Sequence, residues 1–192
     1  MKNGIDGHNS ADKRAEELKE RVLKQYGVSR VEDLPVSFAG ISLQEGEEYG
    51  NQVFDRHYSN LWDTFNRQNR FQQIAGVIAP LLAVRSLSMS IAGTDFAQHQ
   101  DFAGAAESYR RMLVKAMNDD MTYNAGKADF SYQAGPELWK QVPAFQYTMP
   151  PVGRMLGGQA FSIAILSLWL IGGAVLAVAA TARMRVESTT AP

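Results

Sequence analysis

The sequence predicts a mainly α-helical protein, in which a domain of long amphipathic helices is followed by one membrane-spanning helix. Apolar residues recur at helical spacing along much of the chain, and no segment shows sustained strand alternation. A long uncharged block lies near the C-terminus, and hydrophobic residues make up 45% of the 192 residues, which excludes a disordered chain. The predicted division is a helical domain at 1–151, a transmembrane helix at 152–183 and a short tail at 184–192.

The predicted membrane segment carries no charged side chain from Met155 to Ala182, and Arg154 and Arg183 bracket it. About 20 helical residues cross a hydrocarbon layer of about 30 Å, so the segment is long enough to span. A surface helix would show a polar stripe, whereas this segment is apolar on all faces. The alternative is a buried core helix of a soluble protein. The small residues of the segment indicate either a helix-packing face or the ordinary composition of a membrane helix. The residues expected in the bilayer include Phe161, Ile165, Leu168, Trp169, Gly172, Gly173, Val175 and Ala177.

Two helices are predicted in the N-terminal part of the domain. Asn9-Ser10 offers an N-cap for a charged helix that ends at Tyr26, and Gly27 fits the position after a helix. Ser42-Leu-Gln-Glu45 has the pattern of a capping box, which predicts the start of a long amphipathic helix that ends near Phe71. The apolar face of that helix contains Phe54, Tyr58, Leu61 and Phe65.

The stretch Ile74–Ala92 is apolar apart from Arg85, several serines and the preceding glutamines. As a second membrane span it would place Arg85 near the bilayer centre, at a cost of about 2.5 to 3.5 kcal/mol. Pro80 would add a kink. We therefore expect a buried or membrane-surface helix here, and a second span is the alternative. Arg85 needs a partner or water in such surroundings, and Asp95 and Glu107 are the candidates.

The remainder of the domain is predicted to hold one long helix and an irregular region. Thr94-Asp95 can cap a helix from Phe96 to about Met117. The region Thr122–Pro151 is rich in glycine, proline and aromatic residues, so we expect it to be irregular. A short helix is expected to start at Pro136, because proline suits the first helical turn.

No pattern of catalytic residues is present, so we expect that this chain is not an enzyme and that it needs no cofactor or metal. The absence of cysteine excludes disulfides and thiolate chemistry, and the sequence has no phosphate-binding loop for ATP hydrolysis. The net charge of -1 gives no basic field for nucleic acid. Glu45, Glu47 and Glu48 are explained by the dipole at a helix start. His57, and His99 with Asp95, are metal or hydrolase candidates, but exposed polar positions on helices are the favoured interpretation.

Several long strings of this sequence resemble one branch of the bacterial ABC-2 type transporter permeases, whose C-terminal half carries an uncharacterised conserved domain. The similarity continues to the final span and covers nearly the entire chain. The strings are Asp33–Gly40, Glu47–Tyr58 and Leu82–Phe96, followed by Phe102, Ala105–Glu107, Tyr109–Arg111, Asn118–Asp120 and Val142–Phe145.

The resemblance implies a permease of about six spans in the bacterial inner membrane, with an ATPase encoded separately. This chain would supply the last extracytoplasmic domain, the last span and a cytoplasmic tail. Its partners would be the lipid bilayer, the remaining permease spans and the ATPase subunit, in an oligomeric transporter. The chain departs from the family by lacking the earlier spans and the region expected to couple to the ATPase. A tail-anchored binding or scaffold protein with a cytoplasmic helical domain is the alternative.

Overall fold

The structure is a computed structural model that describes residues 11–184. Within these residues the chain is helical and contains no strand, which confirms the predicted fold class. The predicted cap at Asn9-Ser10 and most of the predicted tail lie outside the described residues. The helices are α1 (Ala11–Tyr26), α2 (Phe38–Ala75), α3 (Pro80–Ile91), α4 (Phe96–Asn124), α5 (Pro136–Gln141), α6 (Val152–Gly158) and α7 (Ala160–Arg183), with 3-10 turns at Val31–Asp33 and Gly126–Ser131.

The described chain forms two compact units, each built from two separate stretches. The first unit comprises 11–62 and 103–147, and the second unit comprises 63–102 and 148–184. The borders between them fall inside α2 and α4. These two units are defined by contacts within the folded chain. The division predicted from the sequence separates the segments by their expected environment, and that division stays a prediction.

The first unit fixes α1 against α2 through a small apolar core and polar contacts at its edge. Leu18 and Val22 are buried on the inner face of α1. Arg21 donates a hydrogen bond of 2.7 Å to Glu45 on α2. Gly27 ends α1 with a φ of 67°, which confirms the expected helix-ending glycine, since left-handed backbone favours glycine.

The start of α2 differs from the prediction. The helix begins at Phe38, four residues before the predicted cap at Ser42, which lies inside the helix. Tertiary contacts fix the preceding residue: the Ser37 amide donates to the Thr122 carbonyl (2.9 Å), and the Ser37 hydroxyl donates to Asp129 (2.9 Å). The prediction that a capping box at Ser42–Glu45 starts α2 is therefore wrong, because contacts with residues distant in the sequence take the place of a local cap.

The explanation offered for the acidic residues near Ser42 is wrong for the same reason. Glu45, Glu47 and Glu48 lie beyond the first turn of α2, which contains no acidic residue, so the helix dipole does not account for them. Two of them serve contacts within the first unit instead. Glu45 accepts from Arg21, and Glu47 accepts from Arg110 on α4.

The second unit contains α3, α6 and α7, which contact one another, together with the end of α2 and the start of α4. Turns after Ala75 separate α2 from α3, and Pro80 occupies the first turn of α3 rather than a kink. The 12 residues of α3 reach only about 18 Å, too short to span. In the described residues, α7 is the helix that is long and apolar enough to cross a membrane.

Helix α4 has the predicted cap but extends further than expected. The Asp95 carboxylate accepts a hydrogen bond of 2.9 Å from the Gln98 amide, which confirms Asp95 as the capping residue. The helix runs to Asn124 instead of ending near Met117. The short helix expected from Pro136 is also present, as α5.

Replacing Asp95 with alanine should lower the free energy of unfolding by about 1 kcal/mol, because the first turn of α4 loses its acceptor. Asp95→Ser should retain most of the stability. Denaturant unfolding of the full chain in detergent solution, followed by circular dichroism, measures both. Asp63→Ala on exposed α2 surface is the control and should change little. Equal losses for Asp95→Ser and Asp95→Ala would argue against capping as the role of Asp95.

Candidate functional site

A cluster of charged residues joins α2 to α4 in the first unit. Glu107 accepts hydrogen bonds of 2.8 Å from both Arg110 Nε and Arg111 Nε on its own helix. Arg110 also donates to Glu47 (2.9 Å), and Arg111 donates to both carboxylate oxygens of Asp55 (2.6 and 3.0 Å). Each arginine therefore connects a carboxylate of α4 with one of α2. We call these five residues the arginine clamp.

The electrostatics of the arginine clamp favour fixed charges. Hydrogen bonds from Arg110 and Arg111 lower the pKa of Glu107 from 4.5 to about 2. The hydrogen bond from Arg111 also lowers the pKa of Asp55, and the same contacts raise the pKa of both arginines. A carboxylate with a pKa near 2 is a poor general base at neutral pH. The arrangement is thus suited to holding two helices together and unsuited to proton transfer.

The second unit contains a cavity of about 720 Å³ that is open to solvent. Three arginines from three different helices line it: Arg70 on α2, Arg85 on α3 and Arg154 on α6. Asp95 and Asp101 line it as well, so its charged residues sum to +1. The volume lies in the range of about 300 to 1,000 Å³ that is typical of small-molecule sites.

A buried glutamine forms part of the cavity wall. Gln159 is 7% exposed, and its side-chain carbonyl accepts hydrogen bonds from the hydroxyls of Ser86 (2.9 Å) and Ser162 (3.0 Å). These bonds connect α3 with the start of α7. Both of them go to the carbonyl oxygen, so within the described chain the amide nitrogen of Gln159 has no hydrogen-bond acceptor.

Helix α7 is anchored at its start and exposed along the rest of its length. Ser162 and Ile165 are buried, whereas every residue from Ser167 to Arg183 is exposed. The Trp169 indole N–H donates to the carbonyl of Val77 in the turn before α3 (3.0 Å). Most of this apolar helix is therefore left uncovered by the rest of the described chain.

Residues 2–148 match the model of a family described as a domain of unknown function, DUF3526. The chain belongs to the DUF3526 family. No curated protein and no solved structure matches it. The matched DUF3526 region includes the complete arginine clamp and ends before α6 and α7, so Arg154 and Gln159 lie outside it.

Arg85 of the DUF3526 region lies at the cavity, although neither expected carboxylate pairs with it. It is exposed and forms no hydrogen bond or ion pair with any residue of 11–184. Asp95 lines the same cavity but accepts from the Gln98 amide. Glu107 is a member of the arginine clamp, so the suggestion that it pairs with Arg85 is wrong.

The two histidines singled out in the sequence are exposed helical residues of the DUF3526 region. His57 lies on α2, and His99 lies on α4 with its ring 6.5 Å from that of Phe96. Across residues 11–184, no group of three or more potential His, Asp or Glu ligands is close enough to hold a metal ion. Along the helix, the His99 amide donates a backbone hydrogen bond to the Asp95 carbonyl (3.1 Å).

Sequence reasoning missed the arginine clamp, whereas the second unit has an apolar surface in a stretch for which a membrane-surface helix was one of the expectations. Glu107 precedes Arg110 and Arg111 by three and four residues, and this spacing is a signal for helical ion pairs. The apolar surface lies at the end of α2 and along α3, where a buried or membrane-surface helix was expected. Its exposed members are Phe71, Ile74, Ile78, Leu81, Val84 and Ile91.

Proposed function

We propose that this chain is the C-terminal part of an ABC transporter permease subunit, which contributes a helical extracytoplasmic domain and the last membrane span. The observation that carries the proposal is α7, an apolar helix of 24 residues that is exposed from Ser167 onward. The resemblance of long strings such as Leu82–Phe96 to the ABC-2 permeases supplies the transporter context. Membership of the DUF3526 family is consistent with the uncharacterised domain of that permease branch.

The exposed part of α7 favours a bilayer on energetic grounds. Leu168, Leu170, Leu176 and Val178 are 68 to 75% exposed. Moving a large aliphatic side chain from water into an apolar phase is worth about 1.5 to 3 kcal/mol, so several such residues in water would be strongly unfavourable. Within a bilayer the helix satisfies its own backbone, and the exposed side chains meet lipid or other spans.

The apolar surface of the second unit supports the same environment. This surface runs along α3, whose 12 residues cannot cross a bilayer. It belongs to the same unit as α7. An exposed apolar patch of this kind marks a membrane or protein contact. We assign it to the outer layer of the membrane or to neighbouring permease spans.

The role that fits these features is structural rather than catalytic. The arginine clamp fixes α2 on α4, so the first unit can present a rigid surface at the outer face of a translocation path. ATP would be hydrolysed by a separate ATPase subunit, with the earlier permease spans coupling the two.

The absence of cysteine makes site-directed labelling a direct test of orientation. We expect a cysteine at Gln133, exposed in the first unit, to react with a membrane-impermeant maleimide in intact spheroplasts. A cysteine at Ser188 should react only after permeabilisation. The native chain, which has no thiol, controls for background. The reverse pattern would place the domain in the cytoplasm and favour the tail-anchored scaffold instead.

A second measurement tests the transporter context. The full chain, expressed with the reading frames that flank its gene, should co-purify with an ATPase subunit that hydrolyses ATP. When the nucleotide-binding lysine of that ATPase is replaced, the ATPase should still co-purify with the chain but should no longer hydrolyse ATP. Correct topology without any associated ATPase would contradict the permease assignment while leaving the membrane assignment intact.

A further inference from the structure

The cavity of the second unit collects three arginines that have no protein partner. Arg70, Arg85 and Arg154 form no hydrogen bond or ion pair with any described residue, and they come from three separate helices. A guanidinium presents five N–H donors and pairs readily with carboxylate or phosphate oxygens. These three guanidinium groups line one cavity and are exposed, so their N–H donors are accessible to an anion.

The carboxylates at the cavity do not neutralise these arginines. Asp95 accepts the capping bond of α4 from the Gln98 amide, and Asp101 also lines the cavity and has contacts of its own. The two aspartates offset only part of the charge of the three arginines, and the formal charge of the lining is +1. The cavity therefore offers donors to an anion, and two acceptors that suit a hydroxyl or ammonium group beside it.

The Gln159 side chain adds a neutral hydrogen-bond donor to the cavity wall. Gln159 is more than nine-tenths buried and lines the cavity, and both of its side-chain carbonyl bonds go to serine hydroxyls. Its amide nitrogen is left without an acceptor in residues 11–184. This amide N–H is available to donate to an oxygen atom of a ligand in the cavity.

We propose that this cavity binds the phosphate group of an organophosphate, held by Arg70, Arg85 and Arg154 with the Gln159 amide as a fourth donor. A phosphate group has enough oxygens for several guanidinium groups, whereas a carboxylate has two. The volume of about 720 Å³ leaves room for the polar group that the phosphate esterifies. The ligand is either a phospholipid headgroup or a soluble phosphate ester of similar chemistry.

The position of the cavity favours the phospholipid. Gln159 directly precedes α7, and Arg154 lies six residues before Ala160, at the end of α7 where a headgroup layer would begin. The preference for a lipid rests on the proposed membrane position of α7. The binding of phosphate does not depend on that membrane position, so the phosphate site and the proposed membrane span can each be disproved without the other.

The test is calorimetric titration of the full chain in a phosphate-free maltoside detergent. The probes are dihexanoylphosphatidylethanolamine, glycerol phosphate and the phosphate-free lipid dihexanoylglycerol. We expect saturable binding of a phosphate-bearing probe and a rise in Kd of about tenfold or more in the double variant Arg85→Gln, Arg154→Gln. Arg70→Gln provides a second variant on another helix and should also weaken binding. Arg67→Gln removes the same charge from α2 outside the cavity and should leave the Kd unchanged.

Each outcome decides between the possibilities. Tighter binding of the phospholipid identifies a headgroup site, whereas equal or tighter binding of glycerol phosphate identifies a soluble phosphate ester. Failure of both probes to bind at millimolar concentration would overturn the proposal. Equal affinity for dihexanoylglycerol, or an unchanged Kd in both cavity variants, would do the same. Thermal unfolding should show that the variants stay folded, since these arginines are exposed and unpaired.

Discussion

Gly40→Ala should destabilise the first unit by about 2 to 3 kcal/mol, the largest effect we expect from a single methyl group in this chain. Gly40 is buried in α2 where that helix meets α4. A Cβ at this position would lie 2.5 Å from the Thr122 amide nitrogen and 2.8 Å from the Thr122 Cα. These are backbone atoms, so a change of rotamer cannot relieve the overlap.

A hydrogen bond holds the backbone of Thr122 close to the start of α2. Its carbonyl accepts from the Ser37 amide (2.9 Å), the residue that directly precedes α2. Relief of the overlap therefore requires α2 and α4 to separate, which would expose apolar contacts near Ala39 and Ala125. A full loss of folded protein on expression would be the extreme form of the same result.

Gly50→Ala is the matched control, because Gly50 lies on the same helix and an added Cβ would meet open space. It should stabilise the chain by about 0.5 to 1 kcal/mol, since alanine favours a helix interior over glycine. Urea unfolding of the full chain in detergent, followed by circular dichroism, measures both changes. Equal and small effects for the two variants would show that α2 and α4 do not approach closely at Gly40.

Glu107→Gln should lower the free energy of unfolding by about 1 to 2 kcal/mol, allowing for solvent screening of the arginine clamp. The Glu107 side chain is 16% exposed and accepts from both Arg110 and Arg111. The amide keeps the shape of the carboxylate but loses its charge, and it replaces one acceptor oxygen with a donor. At least one of the three guanidinium hydrogen bonds to this side chain is therefore lost, and the new amide N–H faces a guanidinium N–H.

The pH dependence distinguishes this loss from a packing defect. The pKa of Glu107 is about 2 in the folded chain, against an ordinary 4.5. Its stabilising contribution is therefore complete above pH 4.5 and disappears as the pH falls toward 2. The difference in stability between the native chain and Glu107→Gln should shrink over that interval. Glu137→Gln, which removes an exposed pair with Lys140, is the control and should change stability little at any pH. A pH-independent difference for Glu107→Gln would contradict the assigned ion pairs.

The sequence predicted most helices because their apolar residues recur at regular spacing. It placed α1, the body of α2 and the Asp95 cap of α4, for which local signals suffice. It misplaced the start of α2, because a serine and a glutamate at capping spacing are a local signal that Ser37 and its distant partners override. The end of α4 was also missed, since the buried polar Asn118 and Thr122 interrupt the apolar pattern.

The cavity could not be predicted in the same way. Arg85 was conspicuous because it interrupts an apolar stretch, but Arg70 and Arg154 lie 15 residues before it and 69 residues after it in the sequence. No spacing rule connects them. The fold brings them to one surface because α2, α3 and α6 all contribute to the second unit. Gln159 similarly gives no sequence signal, since its importance lies in burial and in the two serine hydroxyls that it accepts from.

The interleaved chain path also determines how this protein can be dissected. Each unit contains two stretches, 11–62 with 103–147 and 63–102 with 148–184. A single truncation or proteolytic cut therefore cannot release either unit intact and alone, because one of the resulting fragments always contains parts of both units. Isolating the second unit would require starting the chain at residue 63 and replacing residues 103–147 with a linker. Isolating the first would require replacing 63–102 and ending the chain at 147.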